Sequence, residues 1–105
     1  MAKSTVIDYV RAIYAEDYQT AYALLSAESK RRHSEEAFAR EAKAAFVLYD
    51  LEEARAESRG EDAAEVVMAL QQEEEPGAKA FSVVKEDGEW KIVYYEGKPL
   101  FPYGE

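Results

Sequence analysis

The sequence predicts an α+β domain in which three N-terminal helices pack on a curved four-stranded antiparallel meander. Three observations carry this. Apolar residues recur at helical spacing in the first half, the pattern changes to alternation from Val47 onward, and Asp87-Gly88 sits between two alternating runs as a hairpin turn. With 105 residues and 48% apolar content, the chain 1–105 suits one domain that builds its own core without metal or disulfide staples.

Thr5-Val6-Ile7-Asp8 matches a capping box, and Val6, Val10 and Ile13, with Tyr9 beside them, form the apolar stripe of a first helix that stops near Ala15. Asp17 is the next cap. Tyr18, Ala21, Tyr22 and Leu25 fall at i, i+3, i+4 and i+7 on a second helix, too short to persist without a neighbour. A polar turn through Ser29 to His33 follows. Ser34 then caps a third helix whose inward face is Phe38, Ala42, Ala45 and Phe46, with His33 placed to pack on Phe38 as a hydrophobic staple.

In the second half, Glu52-Glu53 breaks the alternation of the first strand and marks a β-bulge. Gly60-Glu61-Asp62 connects to a second strand with Ala64, Val66, Met68 and Leu70 on one face, which Pro76-Gly77 ends. The Asp87-Gly88 turn fixes the register of the last hairpin: Val83 faces Ile92, Phe81 faces Tyr94 and Lys85 faces Trp90, while Val84, Val93 and Tyr95 lie on the other side.

Composition removes whole classes of function. Cysteine is absent, so there is no thiolate nucleophile, disulfide framework or sulfur-ligated zinc, and asparagine is absent, so there is no N-glycosylation acceptor. A net charge of -9 opposes a phosphate backbone, and nucleic acid is not an expected partner. The single basic cluster, Lys30-Arg31-Arg32-His33, precedes Ser34-Glu35-Glu36; its cations suit the end of one helix and the acids the start of the next. No apolar run is long enough for membrane insertion, the Met1–Ser4 start does not read as a signal peptide, and the chain reads as soluble. The 18 alanines and 17 glutamates suit a thermophile, a GC-rich genome or a designed chain alike.

Ala15-Glu16-Asp17-Tyr18-Gln19-Thr20-Ala21-Tyr22-Ala23-Leu24-Leu25-Ser26, followed by Ser34-Glu35-Glu36-Ala37-Phe38, the strands and Gly88-Glu89-Trp90-Lys91-Ile92, resembles the nuclear-transport-factor-2-like (cystatin-like α+β) superfamily. It is most similar to the small bacterial branch found as lipoprotein or secreted domains. The resemblance implies a conical fold, a strongly curved sheet wrapped round a helix, with a pocket that different members use for catalysis, binding or dimerisation. It leaves the compartment open and allows a secreted or lipoprotein origin. Fold alone does not give activity.

The enzymes of that superfamily, such as ketosteroid isomerases and scytalone dehydratase, use buried acids, histidines and tyrosines in the cone. Here the candidate base is Asp50, set among Val47-Leu48-Tyr49 and Leu51, although alternation turns it away from Tyr49 and Leu51. His33 is the only histidine, with no second imidazole or thiol to build a metal site or nucleophile pair. Tyr9, Tyr22, Phe38, Met68, Trp90 and Tyr94 bound the expected pocket for a small apolar molecule. The run Gln71-Gln72-Glu73-Glu74-Glu75 lacks calcium-loop spacing and reads as a solvated hairpin tip, and the proline-x-x-proline tail from Lys98 to Pro102 reads as folding back over a sheet edge. The functional expectation is a non-catalytic domain that binds a small molecule or a protein, or acts as a scaffold, with no cofactor. The alternatives are a cone-pocket isomerase or dehydratase using Asp50 and a tyrosine, and a homodimer formed through the outer sheet face of Val84, Val93 and Tyr95.

Overall fold

The computed structural model describes residues 2–44, 49–70, 78–95 and Pro99, with only the backbone of Leu70, Ala78 and Lys79. Four helices, α1 (Ala2–Tyr14), α2 (Tyr18–Ala23), α3 (Ala27–Arg32) and α4 (Glu35–Ala44), precede four strands, β1 (Tyr49–Ser58), β2 (Ala63–Leu70), β3 (Ala78–Glu86) and β4 (Glu89–Ile92). The strands form one antiparallel sheet in the order β1-β2-β3-β4, curled into a half-barrel. The fold is α+β, as the two periodicities predict, with one helix more than expected.

The stripe of α1 is the centre of the core. Val6, Tyr9, Val10 and Ile13 are all buried, and α1 packs on α2 and against β1, β2 and β4. The helix starts at Ala2, so Thr5 lies inside it rather than capping it. Its end is a Schellman motif: the Asp17 N–H donates to Ala12 O (2.8 Å) and the Glu16 N–H to Ile13 O (3.0 Å), with Glu16 left-handed at φ 61°. Asp17 also caps α2 as expected, accepting from the Thr20 N–H (3.3 Å) and the Thr20 hydroxyl (2.7 Å). One residue therefore closes one helix and opens the next.

The expected polar turn from Ser29 to His33 is instead part of helix α3, with His33 as its C-cap. It buries no apolar stripe; its buried residue is Ser29, which leaves helical periodicity blank in the sequence. Ser26 caps it through the Ser29 N–H (3.2 Å), the Glu86 carboxylate accepts from the Ala27 N–H (3.2 Å), and Glu28 pairs with Arg31 and Arg32. The basic cluster occupies the last turn of α3, and Glu35 and Glu36 the first turn of α4, matching the helix dipoles. Ser34 accepts from the Ala37 N–H (3.1 Å), and Phe38 and Ala42 are buried; Ala45, Phe46, Val47 and Leu48 lie outside the described residues.

In the sheet, Ala64, Val66 and Met68 face inward from β2, and Phe81 and Val83 from β3. The bulge in β1 falls where the glutamates predict it: between the pairs Asp50↔Ala69 and Arg55↔Val67 the chain advances five positions on β1 and two on β2. The odd shift lets both Tyr49 and Ala54 point into the core. The last hairpin has the expected register, Val83↔Ile92 and Lys85↔Trp90. The Phe81–Tyr94 pairing does not form. β4 ends at Ile92, and Tyr94 leaves the ladder to donate its N–H to Ser29 Oγ (2.8 Å). The Gln71–Glu75 run, Pro76-Gly77, and the tail other than Pro99 lie outside the described residues.

Asp87 (φ 52°) and Gly88 (φ 81°) both adopt positive φ, as a primed two-residue turn requires. A Cβ at Gly88 would meet nothing within 4 Å, so any penalty there is conformational. Gly88→Val is expected to lower stability by about 1 kcal/mol or more and Gly88→Asn by clearly less, because asparagine tolerates left-handed geometry. Thermal melts of the two variants check this.

Ser29 is fully buried and is shared by three partners: the Ser26 hydroxyl (2.7 Å), the Tyr94 N–H, and Ile92 O (3.4 Å). Ser29→Ala leaves the Tyr94 amide without that acceptor and is expected to cost about 1–3 kcal/mol. Chemical denaturation with an unchanged m-value is the expected readout.

Candidate functional site

The concave side of the sheet is lined by aromatic residues that the helices bring into contact. Phe38, from α4, is the hub: its ring centroid lies 6.2 Å from Tyr9, 5.6 Å from Tyr22 and 6.1 Å from Tyr94. Phe81 extends the cluster to Tyr9 (6.2 Å) and Tyr49 (5.6 Å), mostly edge to face. Of the expected pocket residues, Tyr9, Phe38, Met68 and Tyr94 are fully buried, and Tyr22 is partly buried against the same core. Trp90 is also partly buried, but at the hairpin end, with the Lys85 ammonium 5.8 Å from its ring centroid.

The phenol oxygens of this layer are committed to partners within the chain. Tyr9 donates to Pro99 O (2.8 Å), and Tyr22 directs its hydrogen between His33 O (2.6 Å) and Lys30 O (3.1 Å). Tyr14 accepts from the Tyr49 N–H (2.8 Å), joining α1 to the start of β1. Tyr94 donates to Glu41 Oε1 at 2.5 Å. Burial pushes the phenol of Tyr9 well above its ordinary value, reinforced by Tyr94 and Tyr49; burial also raises Tyr49, and burial followed by the bond to Glu41 raises Tyr94. All three are neutral hydrogen-bonding groups at neutral pH.

His33 caps the C-terminus of α3, where its N–H donates to Ser29 O (3.1 Å). Its ring does not staple Phe38 directly. It stacks on Tyr94 (4.1 Å between centroids, 6° between planes), and Tyr94 packs on Phe38, so one ring stands between them. With Nε2 3.1 Å from Tyr95 O, the imidazole carries its hydrogen on that nitrogen.

Asp50 is not on the concave side of the sheet. It sits on the outer side of β1 opposite Ala69, half-exposed, and its Oδ1 accepts from the Glu52 N–H (3.1 Å), an Asx turn that shapes the bulge. Among the described residues the acid that reaches the aromatic layer is Glu41, which is not one of the candidates that the sequence pattern offers. Its position carried a signal, because it follows Phe38 by three and adjoins Ala42, on the margin of the buried face of α4. Of the outer-face residues, Val93 is buried, Val84 is half-exposed, and Tyr95 carries the Arg32 guanidinium 4.4 Å above its ring. Among the described residues no group of three or more histidines, aspartates and glutamates is placed to hold a metal ion, and no helix is long and apolar enough to cross a membrane.

No protein-family model matches the chain, and no curated protein matches it. The site must be read from its own geometry. What it offers chemically is one carboxylate–phenol pair, Glu41 with Tyr94, roofed by an imidazole, and a layer of rings whose polar ends are already bonded.

The raised phenols have a measurable consequence. An unfolded tyrosine ionises near pH 10, whereas Tyr9, Tyr49 and Tyr94 hold their protons above that in the fold. Their contribution to stability is complete below about pH 10 and is lost as pH rises beyond it, because only the unfolded chain releases those protons. In an alkaline titration followed at the phenolate absorbance, these three of the eight tyrosines are expected to ionise in step with the loss of circular dichroism, not before it.

Proposed function

We propose that this chain is a non-catalytic domain with the nuclear-transport-factor-2-like architecture it resembles, whose interior aromatic layer is structural and whose work is binding at its surface or scaffolding. The observation that carries this reading is the commitment of the Tyr9, Tyr22 and Tyr94 hydroxyls to acceptors within the chain, around a Phe38 ring that touches all three tyrosines. A cone that served a ligand oxygen would need a donor aimed at the ligand. Rings in mutual contact also favour a protein partner over a small molecule held inside.

A second reading, an isomerase or dehydratase working in the cone, has one observation in its favour, the Glu41–Tyr94 pair. General acid–base chemistry needs an acceptor within reach of substrate and a donor for the charge that develops. Here the donor is fully buried and bonded to the acceptor, so each occupies the other's working position.

The two readings separate in one experiment. Under the non-catalytic reading the parent shows no turnover of steroid-like enones and no saturable binding of an apolar fluorescent probe. Turnover that disappears in Glu41→Gln and survives in Asp50→Ala would establish the catalytic alternative instead.

A further inference from the structure

The two edges of the sheet are treated differently. The β4 edge is covered by the chain itself, where Leu25 bridges Ile92 in parallel, the Ile92 N–H donates to Leu24 O (2.8 Å) and the Ser26 N–H donates to Ile92 O (2.8 Å). The β1 edge is taken up at its start, where the Tyr49 N–H donates to the Tyr14 hydroxyl, but beyond the bulge it has no such cover among the described residues, where β1 pairs with β2 alone. An unpaired edge is a template for another strand, and charge on it decides which strands are admitted.

The phase of β1 is settled by one bond. The Arg59 N–H donates to Ala63 O (2.9 Å), so the odd-numbered residues from Arg55 to Arg59 direct their amides and carbonyls to β2, and Ala56 and Ser58 direct theirs to the free edge. Ala56 and Ser58 are exposed even on the inward side of the sheet. Small residues at the edge leave room for a second backbone.

The side chains flanking them have a self-complementary order. Counting outward from Ala56, Arg55 mirrors Glu57, and Glu53 in the bulge mirrors Arg59. In an antiparallel pairing of β1 with a second β1 about a two-fold axis at Ala56, each Arg55 stands opposite the other copy's Glu57, and no like charges meet. Ala56 meets Ala56 as the residue pair that exchanges both backbone hydrogen bonds, which is the phase the free amide requires. Arg55, at 69% side-chain exposure, has among the described residues one ion pair, to Glu57 of its own strand at 3.4 Å, a carboxylate that Arg59 also holds at 2.9 Å; in this pairing Glu57 turns from these to the other copy's Arg55.

We propose that the β1 edge is a homodimer interface, in which two copies of this chain join their sheets antiparallel about Ala56, with Arg55 and Glu57 of each copy paired with Glu57 and Arg55 of the other. The symmetry of the charge order makes β1 complementary to a second copy of itself, and an isologous pairing uses that complementarity twice. The pairing is independent of the reading of the interior, since the residues it joins lie on β1 and at Arg59 just beyond it, and neither Phe38 nor Tyr94 takes part.

The test is solution mass by sedimentation or light scattering over a concentration series, with a charge swap. The parent is expected to move from the 11.9 kDa chain mass toward twice that value as concentration rises. Arg55→Glu and Glu57→Arg, each placing two pairs of like charges across the axis, are expected to weaken the dimer at least tenfold, and the double swap Arg55→Glu/Glu57→Arg to restore it. Circular dichroism of the single variants at low concentration, where all are monomers, must match the parent. A parent that stays monomeric at hundreds of micromolar, or a dimer indifferent to both single swaps, overturns the proposal. A dimer weakened by both single swaps and not rescued by the double swap overturns the Arg55–Glu57 pairing.

Discussion

The buried knot of Ser26 and Ser29 is the constraint on which the rest of the structure depends. Two hydroxyls and three backbone groups meet there with almost no solvent. Ser26 Oγ accepts from the Ser29 N–H, Ser29 Oγ accepts from the Tyr94 N–H, and Ile92 O lies within reach of the Ser29 hydroxyl. If Ser29 donates to Ile92 O, Ser26 must donate to Ser29, and every hydrogen is then placed. A half-satisfied version of this knot would leave buried polar groups at about 1–3 kcal/mol each, a large share of the stability of a domain this size. The arrangement therefore forms as a whole, fixing where β4 stops and where the helical layer meets the sheet.

Stopping β4 at Ile92 has consequences for the interior. Had the strand continued, Tyr94 would lie in the ladder opposite Phe81. Released from it, the ring lies between His33 and Phe38 and the hydroxyl reaches Glu41, so one residue ties the ends of α3 and α4 to the end of the sheet. Tyr22, from α2, does the same work from the other side by donating to carbonyls at the end of α3. The short helices α2 and α3, six residues each, lack the length to stand alone and are held by these phenols and by their caps. An aromatic layer used this way has a structural reason for its many tyrosines: the ring supplies buried area and the hydroxyl closes a helix end.

Much of this was legible in the sequence because it rests on local rules. The stripe of α1, the Asp17 and Ser34 caps, the bulge at Glu52-Glu53 and the Asp87-Gly88 register each follow from a few neighbouring residues. Helix α3 was not legible because its buried residue is a serine and its stability comes from distant groups, Glu86 on β3 and Ile92 on β4. The escape of Tyr94 was hidden for the same reason, since strand alternation continues through Val93 and Tyr95 and only the Ser29 hydroxyl, far away in the chain, interrupts it. For the candidate site, the ring residues were legible as a group from their apolar faces. The apolar neighbours of Asp50 make it a candidate, but strand alternation also indicates its outward turn, and the structure agrees. Glu41 is hidden in the sequence because a glutamate in an acidic helix looks solvated unless its phase against Phe38 is counted.

The bulge in β1 links the interior to the open edge. A strand with extra residues bends and twists more than its partner, and here the bend lies between a half of β1 that serves the core and a half that does not. On one side Tyr49 is buried against Phe81, and its N–H is held by the Tyr14 hydroxyl of α1. On the other side Ala56 and Ser58 are exposed although they share the inward phase of Val66 and Ala64. Asp50 holds the bend through its bond to the Glu52 amide. The same local device thus sets Tyr49 into the core at one end of the strand and, at the other, presents a charged edge to which no strand is paired among the described residues; a straight β1 would have put the charged residues of one half in the phase of the core residues of the other.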